Sequence, residues 1–387
     1  MGQTVKIKIP GEGQTYGIAI GAGSLKTCGE WAKKCLSPNT RKILIVSSKK
    51  VFGLYGEPVQ KSLARGGYRV SVWLMPDGEK HKNLKSLQKL LAFLGAQGFT
   101  RADAVVALGG GVVGDLAGFA AAVYLRGIPV LQIPTTLLSQ IDSSVGGKTA
   151  INTEYGKNLI GAFYQPRGVL IDIETLQTLP RRELTAGFCE VIKQGALAGG
   201  PLFSRTAEVL ETYPIGKFAG FFAGPGSEKF RDRLSGLIKA QVAFKAKIVS
   251  GDQKEGLNRR DPRSRKILNF GHTVGHALEK VFNYQWLKHG EAVGYGMLAA
   301  SEISKNLGFL DKNSLKSLVD VIGYAGPLPA IENIKPEDVI KAAAFDKKKA
   351  GTVTTWILLK EIGKPVLIGD DKIPASIVRQ SIKTILK

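Results

Sequence analysis

Residues 103–119 read DAVVALGGGVVGDLAGF: an apolar β-branched run, a cluster of glycines, then apolar residues at helical spacing. Gly109, Gly111 and Gly114 fit G-x-G-x-x-G, and positions without a Cβ let backbone amides approach a pyrophosphate at the N-terminus of the following helix. Working outward, Lys42 to Val46, Arg69 to Leu74 and Ile128 to Ile133 join Asp103 to Leu108 as strands, with Leu63 to Gly67 and Leu84 to Gly98 closing helices between them. This repetition predicts parallel βαβ units, hence an α/β, Rossmann-like N-terminal domain. The glycines follow the third strand rather than the first, and the next strand end, Pro134-Thr135-Thr136, offers no acidic ribose partner. A bound dinucleotide therefore implies a variant arrangement; the competing reading is a tight turn without a ligand.

After Leu179-Pro180 the pattern changes to long segments at helical spacing, Leu184 to Leu197, Phe230 to Val249 and Val274 to Phe282, with one short strand near Thr352 to Leu359. The expected division is 1–179, Rossmann-like, and 180–387, mainly α-helical. Gly216 to Gly226 and Gly256 to Arg265 read as loops.

Composition bounds the function. A length of 387 residues suits two domains, and 44% hydrophobic with 22% charged residues excludes disordered, collagen-like and coiled-coil classes. No run approaches the ~18 apolar residues of a membrane span, and MGQTVKIKIP carries no signal-peptide or myristoylation pattern, which predicts a cytosolic protein. Lys+Arg 54 against Asp+Glu 32 gives +22, an attraction for nucleic acid, headgroups or anionic metabolites. The absence of a helix-turn-helix, RNA-binding aromatic motif or basic tail argues against nucleic acid. Cys28, Cys35 and Cys189 form neither a disulfide framework nor a zinc ribbon.

Of 4 histidines, three are His272, His276 and His289. His272 and His276 share one helix face, and two or three imidazoles with a carboxylate make a catalytic zinc set. Glu190, on an otherwise apolar helix face, is the candidate carboxylate, because an unpaired charge there is costly. Spacing leaves open whether His276 is a third imidazole ligand or an acid/base group, and a satisfied core imidazole is the bland alternative for each. Lys148, Lys157, Asn158, Lys193, Lys245, Arg265 and Asn269 flank these motifs and suit a small, highly anionic substrate, although any single lysine taken alone reads more readily as solvated surface. Asp142 is placed to orient a lysine. The run Lys347, Lys348, Lys349 alone reads as a solvated face.

The runs GGGVVGDLAGF at 109–119, RGIPVLQIPTTLLSQIDSSVGGKTAIN at 126–152, GKNLIGAFYQP at 156–166, TLPRRELTAGFCEVIKQG at 178–195, LNFGHTVGHALE at 268–279 and HGEAVGYGM at 289–297, with PDGEKHK at 76–82 and FDKK at 345–348, resemble the 3-dehydroquinate synthase family of sugar-phosphate cyclases. The resemblance implies an active site in the cleft between the two domains, with NAD bound by 1–179 and metal and substrate by 180–387. It implies zinc, with cobalt as a competing ion, at Glu190, His272 and His289, with His276 a non-ligand in the pocket. It implies NAD at Glu79, Lys82, Gly110, Gly111, Val112, Asp115, Thr135 and Thr136, with Asp142, Lys148, Lys157 and Asn158 adjoining. Substrate phosphate and carboxylate fall to Lys148, Asn158, Lys193, Lys245, Arg265, Asn269 and Lys347, with Arg126 from a neighbouring subunit and hence a homodimer; Lys148, Lys193, Arg265, Asn269 and His276 carry the catalytic roles. The implied reaction takes 3-deoxy-D-arabino-heptulosonate 7-phosphate through transient oxidation, phosphate β-elimination, re-reduction, ring opening and aldol closure to 3-dehydroquinate.

The chain departs from the family at Ser47-Ser48-Lys49-Lys50, where an Asp or Asn is usual, at Asp252-Gln253 in place of Asp-Glu, at an insertion over Leu257 to Ser264, and at Cys189, read as a small apolar filler. The rivals are a valiolone- or inosose-type cyclase and a metal-dependent polyol dehydrogenase.

Overall fold

The structure, a computed structural model, describes residues 3–8, 15–256, 259, 261–350 and 355–386; the side chains of Lys8 and of 345–350 lie outside that set. Contacts divide the chain into two units, Met1–Thr178 with Glu228–Ser250, and Leu179–Ser227 with Gly251–Lys387.

The first unit holds β1 (Gln3–Lys8), β2 (Thr15–Gly21), β3 (Lys42–Ser48), β4 (Arg69–Met75), β5 (Ala104–Gly109), β6 (Val130–Pro134), β7 (Lys148–Thr153), β8 (Gly156–Phe163) and β9 (Gly168–Asp172). Its helices are α1 (Cys28–Cys35), α2 (Lys49–Arg65), α3 (Leu84–Ala96) and α4 (Gly111–Val123). Among the described residues a seven-stranded sheet runs β1-β2-β9-β6-β5-β3-β4, with β7 and β8 forming a separate hairpin. Only β1 runs antiparallel to its neighbour. Leu44, Val46, Val105 and Ala107 pack with Leu90, Leu116 and Ala120 on one face, while Ile43, Ile45, Val106 and Leu108 pack with Ala32, Val59 and Leu63 on the other. A sheet covered on both faces makes its strands continuous apolar runs, and this is why β3 and β5 are plain in the sequence.

The strand expected from Asp103 starts one residue later. The Asp103 carboxylate instead accepts hydrogen bonds from Lys42 N at 2.9 Å and Thr100 N at 2.8 Å, tying the entries of β3 and β5 together. Neither β2 nor β9 was read from the sequence; β9 has 5 residues, too few to show a period.

The second unit opens with α5 (Arg181–Ala198) and α6 (Gly200–Thr212). Then α7 (Ser227–Gly251) returns the chain to the first unit, before α8 (His272–Val281), α9 (His289–Asn306), α10 (Lys312–Tyr324), α11 (Pro336–Ala350), β10 (Thr355–Glu361), β11 (Lys364–Gly369) and α12 (Ala375–Ile385) complete the second. Two expectations need correcting. The single strand near Thr352 is a hairpin, β10 pairing antiparallel with β11, whose Pro365 obscures its strand pattern; residues 352–354 lie outside the described set. The loop expected at Gly216 to Gly226 contains a 3-10 segment, Ile215–Phe222, because Ile215, Phe218 and Phe222 recur at helical intervals and are buried. Residues 257, 258 and 260 of the insertion lie outside the described residues, and its described part is irregular.

Glycine sets the spacing of the helices that matter most. A Cβ on Gly290 of α9 would stand 1.9 Å from Ala186 O of α5, and one on Gly296 would stand 1.8 Å from Gly271 O at the head of α8. The three helices therefore touch backbone to backbone. Gly290→Ala is expected to cost at least about 1–3 kcal/mol as overpacking, seen as a lower urea midpoint. Gly53→Ala, in α2 where a Cβ meets nothing, is expected to leave stability unchanged or raise it by about 0.5–1 kcal/mol.

Candidate functional site

In the first unit, β4 and β5 leave β3 on opposite sides, so the strand order reverses between β3 and β5. Ligands of open α/β sheets bind outside the carboxyl ends of strands at such a switch point. The glycine turn sits on β5 rather than on the first strand because this chain places its switch there. Gly110 caps α4 in extended conformation with no side-chain cap, leaving the helix's first amides without a side-chain acceptor there. A Cβ on Gly110 would come within 3.1 Å of Thr136, and one on Gly114 within 2.9 Å of Gln132 on β6, so the first glycine keeps the strand end open and the other sets helix-to-strand packing. Thr135 is buried, and its N–H donates to Gly109 O at 3.0 Å.

Below this turn a polar cluster gathers four of the predicted residues. Lys82, 4% exposed, donates to Asp115 at 2.9 Å and Asn158 at 2.8 Å and lies 3.1 Å from Glu79. Asn152, which sequence reasoning missed, donates to Glu79 at 2.7 Å and accepts from Asn158 N at 3.0 Å. The αL conformation of Asn158, φ 58, turns its side chain onto Lys82. Burial pushes the Asp115 carboxyl up to about 6, against the opposing pull of Lys82. Burial would lower Lys82, but Asp115 and Glu79 outweigh it and hold its pKa above the usual lysine value. Val112 lies half-buried in the first turn of α4, Lys157 half-buried and Lys148 exposed at the hairpin, and Arg126 exposed with φ 65.

Asp142 lies in a π-helical turn, Ser139–Ser143, and accepts from Lys245 of α7 at 2.6 Å. The lysine that Asp142 orients is thus 103 residues away in sequence. Lys245 is 5% exposed, so its ammonium is held in a fixed place.

In the second unit, α5 carries Glu190, the head of α8 carries His272, and the head of α9 carries His289. Glu190 is 1% exposed; its Oε1 makes no hydrogen bond and stands 3.9 Å from His272 Nε2 and 3.8 Å from His289 Nε2, while Oε2 pairs with Lys193 Nζ at 2.5 Å. His272 Nδ1 lies 3.2 Å from Phe270 O and His289 Nδ1 lies 3.3 Å from a Glu279 oxygen. Both Nδ1 atoms face acceptors, which fixes tautomers that present the Nε2 lone pairs toward Glu190 Oε1. Burial, with the Lys193 cation and the neighbouring imidazoles, holds His272 well below the usual imidazole value. For His289, burial is outweighed by Glu279 and Glu190, and its pKa is raised.

This donor set fits zinc: an orphaned buried carboxylate oxygen and two oriented imidazole nitrogens, with mutual spacings near the ~3.4 Å of adjacent tetrahedral ligands at about 2.1 Å. His276 is exposed; its ring centroid lies 5.2 Å from that of His272 and 5.7 Å from that of His289, and ligand nitrogens of the three rings lie within 4.8 Å of one another. Arg265, 3% exposed, donates to Gln253 O at 2.8 Å, and its backbone N–H donates to Asp252, which also accepts from Gly256 N and Ser264. Asn269 donates to Glu255 at 3.2 Å. The Lys347 side chain lies outside the described residues. Cys189 is buried where α5 meets Gly294, and burial pushes its thiol far up, as a filler requires.

Family models now match both halves: 3-dehydroquinate synthase N-terminal over residues 72–186 and 3-dehydroquinate synthase C-terminal over 187–349. The chain belongs to the 3-dehydroquinate synthase family. A 3-dehydroquinate synthase from Clostridium acetobutylicum is 41% identical over 350 residues, covering 90% of this chain and 92% of the relative. One from Nostoc punctiforme is 40% identical, covering 96% of each. Among solved structures, 2-deoxy-scyllo-inosose synthase, complexed with carbaglucose-6-phosphate, NAD+ and Co2+, has a TM-score of 0.81 at 24% identity, covering 99% of this chain and 100% of that one. It shares the fold.

Sequence reasoning missed Asn152, Glu279 and the pair Arg182–Glu291. Glu291, 1% exposed, accepts from Arg182 at 2.8 and 2.6 Å and so ties the start of α5 to the head of α9. A buried glutamate two residues after a candidate ligand was the available signal.

Because the folded pKa of Asp115 lies above its unfolded value, this carboxyl favours the fold fully below about pH 4, a contribution lost as pH rises through 6. Its carboxyl 13C resonance is expected to titrate near pH 6, and Lys82→Met is expected to move that midpoint higher; a midpoint near 4 would contradict the burial.

Proposed function

We propose that the chain works as a 3-dehydroquinate synthase on 3-deoxy-D-arabino-heptulosonate 7-phosphate, with Glu190, His272 and His289 holding zinc and the β5 turn with Glu79, Lys82, Asp115, Thr135 and Thr136 holding NAD. The observation that carries it is the unpartnered Glu190 oxygen facing two oriented imidazoles, in a chain 41% identical to a named 3-dehydroquinate synthase but 24% identical to the inosose synthase. Bound there, zinc would supply Lewis acidity to substrate oxygens and NAD+ a transient hydride acceptor.

The chain's own residues bind and orient. Lys193, Lys245 and Arg265 are each 5% exposed or less, and each is held by a neighbouring acceptor. Cations fixed in advance give short charge-assisted hydrogen bonds to phosphate and carboxylate without paying rotamer entropy on binding. Asn158 and Asn269 supply neutral donors, and the exposed His276 imidazole can take or return a proton beside the ligand set. Lys148 and Lys347 belong to the substrate's anion site in this reading, with Lys157 and Val112 at the cofactor.

A homodimer is part of the reading. Arg126 stands in an exposed turn beside Val123, 41% exposed, and Leu125, 42% exposed, and β8 of the hairpin presents Leu159 at 58% and Phe163 at 41%. Exposed apolar residues on an edge strand support a subunit contact that brings Arg126 to a neighbour's substrate. A cytoplasmic setting agrees with three unbridged cysteines; among the described residues no helix is long and apolar enough to cross a membrane.

Incubation with the heptulosonate phosphate, NAD+ and Zn2+ is expected to release phosphate and form dehydroquinate with no net change at the nicotinamide absorbance band. Accumulating NADH would favour a dehydrogenase. Lys193→Ala and Arg265→Ala are each expected to lower kcat/KM about 100-fold with zinc content intact, whereas His272→Ala loses metal and activity together. Light scattering is expected to give about 83 kDa, twice 41.5 kDa; a monomer mass would remove Arg126 from the site.

A further inference from the structure

Glu279 has no part in the ligand set or the anion site. It sits in α8, seven residues after His272, and is 2% exposed. A carboxylate that deep in a helix interior is costly unless it meets a donor. One of its oxygens lies 3.3 Å from His289 Nδ1, the ring atom facing away from Glu190. The two proposed imidazole ligands are therefore braced unequally: His272 leans on the neutral carbonyl of Phe270 at 3.2 Å, whereas His289 leans on an acid.

Resting on the zinc reading above, we propose that Glu279 is a positioning residue that holds His289 in the Nδ1–H tautomer and makes its Nε2 the stronger imidazole donor to the metal. The hydrogen bond fixes the ring's rotation, so Nε2 stays 3.8 Å from Glu190 Oε1. The negative charge behind the ring raises the basicity of the nitrogen in front. Carboxylate partners of this kind typically change metal affinity 10- to 100-fold. α8 thereby contributes twice, with His272 at its first position as ligand and Glu279 near its end as brace to the ligand on α9.

The test uses the full chain with Glu279→Gln and Glu279→Ala. Glutamine keeps an acceptor oxygen and removes the charge; alanine removes both. Zinc dissociation constants are measured by chelator competition, the cobalt-substituted proteins are compared by visible absorption, and metal-free melting serves as the folding control. The expected result is metal-free melting for Glu279→Gln at or above that of the unsubstituted chain, zinc affinity about 10-fold weaker for Gln and up to 100-fold weaker for Ala, and a shifted cobalt spectrum. If alanine fails to fold, the glutamine variant decides. Zinc affinity within twofold of the unsubstituted chain and an unchanged cobalt spectrum in Glu279→Gln overturn the brace while leaving the zinc site standing. An unsubstituted chain that binds neither ion overturns both.

Discussion

The second unit is organised around a charge that has no solvent to meet. Glu190 lies in the middle of α5 among Phe188, Val191 and Ile192, all fully buried. Desolvating a carboxylate costs several kcal/mol even after relaxation, and one ion pair with Lys193 repays this only with good geometry and satisfied remaining lone pairs. Oε1 is not satisfied by the chain. That deficit explains features which otherwise look unrelated: the backbone contact at Gly290, the tautomers set by Phe270 and Glu279, and the Arg182–Glu291 pair that locks α5 to α9. Each aims a donor atom at one point beside Glu190 or keeps it aimed there. In the zinc reading proposed above, a cation held there would offset the cost of this buried charge.

The first unit solves a different problem with weaker means. Its glycine turn offers backbone rather than side chains, so what matters is which strand end is open, and strand order determines that. Placing β4 and β5 on opposite sides of β3 opens the end of β5 and makes the third strand of the sequence the one that bears the turn. The side chains around it are then paired with one another: Lys82 answers both Glu79 and Asp115, and Asn158 and Asn152 add hydrogen bonds to Lys82 and Glu79. Much of the excess positive charge lies elsewhere; the fixed cations are those with a buried stem and a carboxylate or carbonyl at the tip.

Legibility followed burial. The strands β3, β5 and β6 were readable because both faces are covered, leaving no polar alternation to confuse with helix, whereas β9 was too short and β11 carries a proline. Glu190 was legible as a charge in an apolar stretch, and the histidines by crowding. Glu279 was not, since a glutamate near a helix end is commonplace until the ring it touches is known. The Asp142–Lys245 pair could be anticipated only on one side, because nothing local names a partner 103 residues away. Asn152 lay inside a recognised run without a signal of its own, its role arising from the turn that brings Asn158 back over Lys82.

The return of α7 to the first unit governs how the chain can be made. Residues Glu228–Ser250 complete a body whose other part ends at Thr178. On a ribosome adding roughly 5–20 residues per second, the 72 residues from Thr178 to Ser250 (250 − 178) take about 4–14 s to appear. For most of that interval Asp142 and Glu174 wait for Lys245 and Arg231, their partners on α7. The N-terminal body is thus begun first but stays incomplete past Thr178, and the α5–α6 segment of the other unit emerges while it is still open. A gene cut between residues 179 and 180 would separate two sequences without separating two folding units.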